Sequence, residues 1–341
     1  MNLPRYLLKR ALTSIVTLIG ISILIFGIAR IIPGDPARIA LGPTASQEQV
    51  EDLRRQLGLD QPLPVQYLSY VAGVAHGDLG LSLYTNRSVT RDLRESFPAT
   101  LELVIVSSIL MTCLGIPLGV IAARGRDGPV DHVTRLFSLL GVVTPSFVWA
   151  IFLMLIFAYY LEWLPVAGRL SEGMAPPPTI TGLYLLDSVL HGRWDTFRDA
   201  LAHIVLPAVA LSLSGIGQAA RLTRANVSEA YNSPFIEMAR AYGFAEARIA
   251  MKYALRPALI PTLTILGLDI AVKLGNAFLV ESVFGWPGMA RYGVQTILHK
   301  DLNGIVGTVL VIAAFFLVIN AIVDLVVTLL DPRIRLGAQT R

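Results

Sequence analysis

Residues 234–261 read PFIEMARAYGFAEARIAMKYALRPALIP and separate two long apolar runs with a polar, basic segment. The pattern predicts a helix, a break at Gly243 and a second helix, because glycine adopts positive φ without a Cβ clash. Such a corner beside a membrane span would form a rigid knob at the membrane surface. The plainer interpretation is a basic loop that only orients the neighbouring spans.

The composition of the chain is that of a membrane protein. Its 341 residues are 54% hydrophobic and 15% charged, which is typical of chains with apolar runs long enough to span a bilayer. The net charge of +4 gives no indication of nucleic-acid binding, because the basic residues lie beside apolar segments, as the membrane orientation rule expects. The one cysteine, Cys113, excludes a disulfide within the chain and a site with several cysteine ligands.

Six apolar runs are long enough to be transmembrane helices, so the predicted fold class is an all-α integral membrane protein. The first run is interpreted as a retained anchor, because no small-x-small cleavage site precedes Pro33. The fourth run is short, and we expect its helix to begin nearer Ala200. The predicted spans are about Ala11–Ala29, Pro98–Ala123, Leu136–Leu161, Leu206–Ala220, Pro257–Phe284 and Gly304–Leu330.

Basic residues in the short loops predict the orientation. With six spans, the bases at the amino end, after spans two and four, and at the carboxyl end all lie on one side, which the positive-inside rule assigns to the cytoplasm. Both termini are therefore predicted to be cytoplasmic. The predicted divisions are residues 1–32 (amino end and first span), 33–97 (external insertion), 98–335 (transmembrane core, with a cytoplasmic loop at about 221–256) and 336–341 (cytoplasmic tail).

The external insertion is predicted to be folded. Ser46 and Gln49 have the spacing of a capping box, and Gly58 ends the helix that they begin. A second helix is predicted over Val65–Ala75. The tetrapeptides Pro33-Gly34-Asp35-Pro36 and Gly77-Asp78-Leu79-Gly80 are each typical of a turn when taken alone.

The basic segment resembles the cytoplasmic loop of bacterial ABC-importer permeases, which carries a Glu-Ala-Ala…Gly motif. The matching residues are Glu237, Ala239 and Gly243. Ala239-Arg240-Ala241 resembles the sequence usual at this place in the peptide and nickel branch of that family. Three positions depart from that pattern: Phe235, Tyr242 and Pro257.

The resemblance extends over essentially the whole chain. The external turns, with Ser82, resemble the family's Pro-Gly-Asp-Pro and Gly-Asp-Leu-Gly-x-Ser. The outer end of the fifth span resembles its Glu-x-x-Phe-x-x-Pro-Gly, and the carboxyl end resembles its usual ending. The corresponding residues are Pro33–Pro36, Gly77–Ser82, Glu281–Gly288 and Asp331–Arg335.

The resemblance implies an inner-membrane permease subunit of a bacterial importer for dipeptides, oligopeptides or similar small solutes. It implies a second related permease, two cytoplasmic ATPases and a periplasmic solute-binding protein as partners, and no cofactor. Coupling to the ATPase would involve Glu237, Ala239, Arg240, Ala241 and Gly243. Docking of the binding protein, or an outer gate, would involve Asp78, Gly80, Glu281, Pro287 and Gly288. The substrate stays open between dipeptide, oligopeptide, glutathione, opine and nickel chelate.

Two charges lie in the fifth span. Asp269 and Lys273 are at i,i+4 spacing, so they share one helix face and can neutralise each other. They could line the pathway or form a structural pair. Three other acids, Glu102, Glu281 and Asp324, lie near span ends, where we expect interfacial water to solvate them and their role to be structural.

Other classes of function lack their motifs. The chain has no Gly-x-x-x-x-Gly-Lys-Ser/Thr loop and no His-Glu-x-x-His, so we predict that it is not an enzyme and that ATP is bound by another subunit. Ser214-Gly215-Ile216-Gly217 predicts close helix packing instead of a nucleotide loop. The alternative function is an ion-coupled secondary transporter that uses Asp269 and Lys273, although no internal repeat supports it.

Overall fold

The computed structural model describes residues 3–31, 35–42 and 44–330. These residues form fourteen α-helices and no β-strand. Five helices are long and apolar enough to cross a bilayer, and one bent helix pair makes a sixth span if it is counted as one. The predicted all-α membrane fold is confirmed. The helices are α1 Leu3–Ile31, α2 Pro36–Leu41, α3 Gln47–Gln56, α4 Leu63–Ala75, α5 Val89–Arg124, α6 Pro129–Val143, α7 Ser146–Leu153, α8 Tyr184–Leu190, α9 Trp194–Tyr231, α10 Pro234–Ala241, α11 Glu246–Arg248, α12 Leu255–Val283, α13 Met289–Leu298 and α14 Leu302–Leu330.

The chain divides into two compact units. Among the described residues, one unit comprises residues 101–286 and 318–330, and the other comprises those of 3–100 together with residues 287–317. In the first unit, α9 is the central helix, because α6, α7, α8 and α12 all pack against it. The second unit contains the insertion between α1 and α5 together with α13.

Small residues set the closest helix contacts of the first unit. An added Cβ at Gly115 would lie 2.5 Å from Ala219 Cβ, and one at Gly217 would lie 2.8 Å from the Ser138 carbonyl oxygen. Lipid tails are as apolar as leucine, so the hydrophobic effect does not hold membrane helices together. Close packing of their backbones at small residues stabilises the association instead. The close packing predicted around Gly217 is confirmed.

The third predicted span is broken. Thr144-Pro145-Ser146-Phe147 predicts a break within the span Leu136–Leu161, and the break is confirmed: α6 ends at Val143 and α7 begins at Ser146, with a bend of 105° between them. Pro145 has no N–H to donate and restricts the preceding residue to extended backbone, as Thr144 shows with a ψ of 123°. A π-helical stretch, Met154–Tyr160, continues α7.

The helices of several spans are longer than their apolar runs. The fourth runs over Trp194–Tyr231, beyond the predicted Leu206–Ala220, and the second begins at Val89 instead of Pro98. Hydropathy marks the part of a helix that lies in lipid, whereas the helix itself ends where its hydrogen bonding ends. The fifth span, α12, is preceded by a second π-helical stretch, Ile249–Ala254.

The insertion is helical, as predicted. Ser46 Oγ accepts a hydrogen bond from the Gln49 N–H at 3.3 Å, and Gln49 Oε1 accepts one from the Ser46 N–H at 2.9 Å, so the capping box of α3 is confirmed. Gly58 follows the helix with a φ of +64°. The second helix, α4, begins at Leu63, two residues before the prediction.

Candidate functional site

The short helix α10 begins and ends with the residues that its position requires. Pro234 occupies the first turn, where its missing N–H costs nothing. At the other end Gly243 has a φ of +76°, its N–H donates to the Arg240 carbonyl at 2.8 Å, and the Phe244 N–H donates to the Ala239 carbonyl at 3.2 Å. This is the Schellman arrangement. The predicted break at Gly243 is confirmed.

One face of α10 is buried against the ends of the spans. Ile236 and Ala239 pack in a cluster with Val120 of α5, Val227 of α9 and Ala254, which leads into α12. The side chain of Ile236 has no exposed surface. Because packed interiors transmit displacement, a force on α10 reaches three membrane helices.

A second face of α10 is apolar and exposed. Phe235, Met238 and Tyr242 lie three and four residues apart and are 43%, 57% and 74% exposed. Glu237 and Ala241 are exposed as well. An exposed apolar helix face flanked by a carboxylate is suited to a groove on another protein.

Arg240 closes the corner after α10. Its Nε donates to Glu246 Oε1 at 2.8 Å, and its guanidinium lies 5.6 Å from the centre of the Tyr231 ring. The hydrogen bond with Glu246 raises the pKa of Arg240 above its usual value. The contact joins α9, α10 and α11, so Arg240 positions the corner. Sequence reasoning placed Arg240 in the motif but did not predict its partner.

A buried carboxylate lies near the same end of α9. Asp131 on α6 is fully buried and accepts hydrogen bonds from Arg224 of α9 at 2.7 Å and from Arg135 at 2.6 Å. The Asp127 N–H donates to it at 3.0 Å. The i,i+4 spacing of Asp131 and Arg135 was a signal for the local pair, but no local pattern could reveal Arg224.

The two charges of the fifth span meet as predicted. Lys273 Nζ donates to Asp269 Oδ2, and the lysine and aspartate side chains are 3% and 19% exposed. A Cβ at Gly215 of α9 would lie 2.7 Å from Lys273 Nζ and 3.0 Å from Asp269 Oδ2, and Met111 Sδ lies at 2.7 Å from the same point. Gly215 therefore makes the room that the pair occupies. Its contact with the pair was not predicted.

The expectation that interfacial water solvates Glu102 and Glu281 is wrong. Both side chains are buried. Glu102 accepts hydrogen bonds from Arg169 at 2.6 Å and from the Leu185 N–H at 2.7 Å, and the Arg169 guanidinium lies 3.5 Å from the centre of the Tyr184 ring. A charge at the end of a span can thus be neutralised by the loop that folds over it. Asp324 is half-buried and has an interaction partner.

The Gly-Asp-Leu-Gly-x-Ser motif connects two segments of the second unit. Asp78 Oδ1 accepts from the Gly80 N–H at 2.9 Å, and a Cβ at Gly80 would lie 2.9 Å from Asn303 Nδ2. Ser82 Oγ donates to the buried Asp301 at 2.5 Å. These contacts tie the insertion to the start of α14, which explains the residue types independently of docking.

The remaining residues predicted for docking are divided between the two units. Pro287 is exposed and Gly288 caps α13, both in the second unit, whereas the buried Glu281 belongs to the first. Docking of a binding protein by these residues stays a prediction. Pro33, Gly34 and Asp331–Arg335 and the tail 336–341 lie outside the described residues.

Sequence comparison finds similar proteins over most of the chain. Residues 115–336 match the family described as "Binding-protein-dependent transport system inner membrane component", and residues 3–104 match the corresponding N-terminal family. The probable D,D-dipeptide transport system permease protein DdpB of Escherichia coli (strain K12) is 42% identical, with 93% of this chain and 94% of that protein covered. The dipeptide permease DppB of Alkalihalophilus pseudofirmus is 37% identical, with 97% and 99% covered. The glutathione permease GsiC of Shigella flexneri is 33% identical, with 97% and 98% covered.

Comparison with solved structures agrees on the fold. An inward-facing crystal form of the MetNI methionine ABC transporter matches with a TM-score of 0.51 and 16% identity, over 68% of this chain and 93% of that one. These comparisons support the importer interpretation and not the ion-coupled alternative. They imply a separate ATPase and a multi-pass position in the inner membrane. The chain belongs to the family of binding-protein-dependent transport system inner membrane components, which are ABC-importer permeases and not enzymes.

Proposed function

We propose that this chain forms half of the translocation pathway of an ATP-driven dipeptide importer, and that a second, related permease forms the other half. The observation that carries the proposal is α10, a helix with one face buried against three spans and an exposed apolar face of Phe235, Met238 and Tyr242. The dipeptide class is supported by relatives of 42% and 37% identity that are named for dipeptides.

The proposed assembly has two cytoplasmic ATPases and a periplasmic solute-binding protein. Both termini are cytoplasmic, and residues 33–97 form the periplasmic insertion between the first span (1–32) and the core (98–335). The basic residues of the loop at about 221–256 support this orientation. Asp78, Gly80, Glu281, Pro287 and Gly288 belong to the outer side, where the binding protein docks.

In the proposed mechanism, α10 lies in a groove of the ATPase and moves with it. Glu237 and the exposed apolar face contact the ATPase, and Gly243 with Arg240 fixes the angle of the corner. ATP-driven closure displaces α10, and its buried face carries the displacement into α5, α9 and α12. The spans then alternate between inward-facing and outward-facing packings.

The Asp269–Lys273 pair is assigned a structural role in this mechanism. Each charge is the other's partner, and the lysine is almost fully buried beside Gly215. A self-neutralised pair that fills a space made by a glycine needs no substrate to compensate it.

The docking role of α10 is tested by co-purification of the complete transporter. Met238→Asp places a charge on the exposed apolar face and is expected to abolish association of the ATPase. Met251→Asp is the matched control, because Met251 is 61% exposed on the same basic segment but outside α10. Normal association and transport in Met238→Asp would refute the proposed coupling surface.

The substrate class is tested in proteoliposomes that contain both permeases, both ATPases and the binding protein. ATPase activity is measured with D-Ala-D-Ala, L-Ala-L-Ala or glutathione added to the binding protein. Stimulation and uptake with either dipeptide, and not with glutathione, are expected. Stimulation by glutathione alone would overturn the dipeptide assignment while leaving the importer assignment intact.

A further inference from the structure

The helix α4 has a composition that does not suit a water-exposed surface. Its sequence, LPVQYLSYVAGVA, contains no charged residue, and none of its side chains is buried within the chain. Leu63, Val65 and Leu68 are 56%, 46% and 67% exposed. The neighbouring helix α3, QEQVEDLRRQ, is exposed too but is mostly charged and polar. Two exposed helices of one insertion thus carry opposite compositions, which indicates two different surroundings.

The contacts of α4 place it beside a membrane span and not beyond its end. Tyr67 Oη and Ser22 Oγ of α1 are hydrogen-bonded at 2.7 Å, and the Phe26 ring lies 5.5 Å from the Tyr67 ring and 6.0 Å from the Tyr70 ring. The apolar run of α1 ends at Ala29, just before Arg30. At 1.5 Å per residue, these contacts lie about 4–11 Å inside that run. This is the depth at which interfacial helices bury their apolar face, about 5–10 Å.

A groove opens between α4 and two spans of the same unit. Its volume is about 290 Å³, and its walls are side chains of α1, α4 and α14, among them Ile19, Val71 and Val311. Tyr70, on the same wall, has a buried hydroxyl with no hydrogen-bond partner in the described part of the chain. Since α1 and α14 are both candidate spans, the groove lies at membrane depth, where hydrocarbon and not water is the surrounding medium.

We propose that α4 lies in the bilayer interface and that its groove with α1 and α14 binds one acyl chain of a phospholipid. The uncharged outer face of α4 contacts neighbouring lipids. One acyl chain fills the groove, which would otherwise be a void beside the span. In the orientation proposed above, this is the outer leaflet. The inference does not depend on the transported solute.

Spin labelling of the complete transporter in lipid nanodiscs tests the position of α4. The exposed native thiol is removed by Cys113→Ala, and a nitroxide is attached at Leu68→Cys on α4 or at Glu51→Cys on α3. The label at 68 is expected to be more accessible to oxygen than to a water-soluble nickel chelate, and the label at 51 is expected to show the reverse. Equal access of nickel chelate to both labels would overturn the proposal. A label at 68 that neither reagent reaches would also overturn it, because a protein partner would then cover α4.

Native mass spectrometry of the same complex tests the groove. Ala314→Phe fills the groove from α14, and Val318→Phe, one turn along on the exposed surface of that helix, is the matched control. Wild type and the control are expected to retain a phospholipid. Ala314→Phe is expected to retain about tenfold less, which corresponds to about two fewer buried methylene groups. Undiminished retention in Ala314→Phe would refute the site, and labelling at residue 68 in the same variant checks that α4 is still folded in place.

Discussion

Replacing Lys273 by methionine would leave the Asp269 carboxylate without its partner inside the membrane. The carboxylate is 19% exposed and lies against the space kept open by Gly215, so water reaches little of it. Asp269→Asn is the reciprocal change, and it leaves an ammonium that is only 3% exposed. The double change removes both charges and keeps two side chains of similar volume.

The expected free energies follow from the burial of the pair. Breaking a buried ion pair by removing one partner costs about 3–5 kcal/mol, whereas replacing both partners with uncharged groups is often neutral. Two single losses of about 3 kcal/mol and a double loss of about 1 kcal/mol give a coupling free energy of about 5 kcal/mol. A loss of that size is a large fraction of the stability of a typical domain, about 5–15 kcal/mol.

The assay is unfolding of the purified complex by titration with a denaturing detergent, together with dipeptide uptake at matched expression. Single variants as stable as wild type would refute a buried, mutually compensated pair. If the double variant recovers both stability and transport, the pair is structural, as proposed. Recovered stability with an altered substrate preference would instead place the pair in the pathway and refute the structural assignment.

Three further predictions address the corner after α10, the orientation in the membrane and the loop before α8. Gly243→Val is expected to lower the stability of the corner by about 1–2 kcal/mol and to uncouple ATPase activity from the loaded binding protein. Gly243→Asn is expected to keep coupling, because an added Cβ meets no atom within 4 Å and only the positive φ restricts the residue. Equal activities of the two variants would show that the left-handed backbone is not required. With Cys113→Ala, a cysteine at Glu172 should react with an impermeant thiol reagent in intact cells and one at Glu246 should not; labelling at Glu246 would reverse the proposed orientation. Burial alone raises the pKa of Asp187, but hydrogen bonds from the Thr181 hydroxyl and from backbone N–H groups outweigh it, so the pKa lies below its usual value. The carboxylate therefore stabilises the loop fully above about pH 4, which is the pKa of an aspartate in the unfolded chain. This stabilisation is lost as the pH falls through the lower pKa of the folded state. Asp187→Asn should be about 1–3 kcal/mol less stable in thermal unfolding at neutral pH and less sensitive to acid, and an unchanged acid response would contradict the assignment.

Local patterns in the sequence were enough for the elements that depend on neighbouring residues. The spans follow from apolar runs, the capping box of α3 from the spacing of Ser46 and Gln49, and the corner after α10 from Gly243. Each of these depends on interactions within a few residues, so the order of the residues carries the information. The Asp269–Lys273 pair was predictable for the same reason, because one turn of helix separates its members.

Partners that are far apart in the sequence were decided only by the tertiary structure. Arg169 neutralises Glu102, Arg224 binds Asp131, and Gly215 leaves space for the pair on α12. The 105° bend at Pro145 is of the same kind, because proline predicts a break but the surrounding helices set its angle. Hydropathy describes what each residue prefers as its surroundings, whereas packing determines which surroundings it has. For that reason the sequence predicts which segments enter the membrane, and only the folded chain shows which charges are buried there and what compensates them.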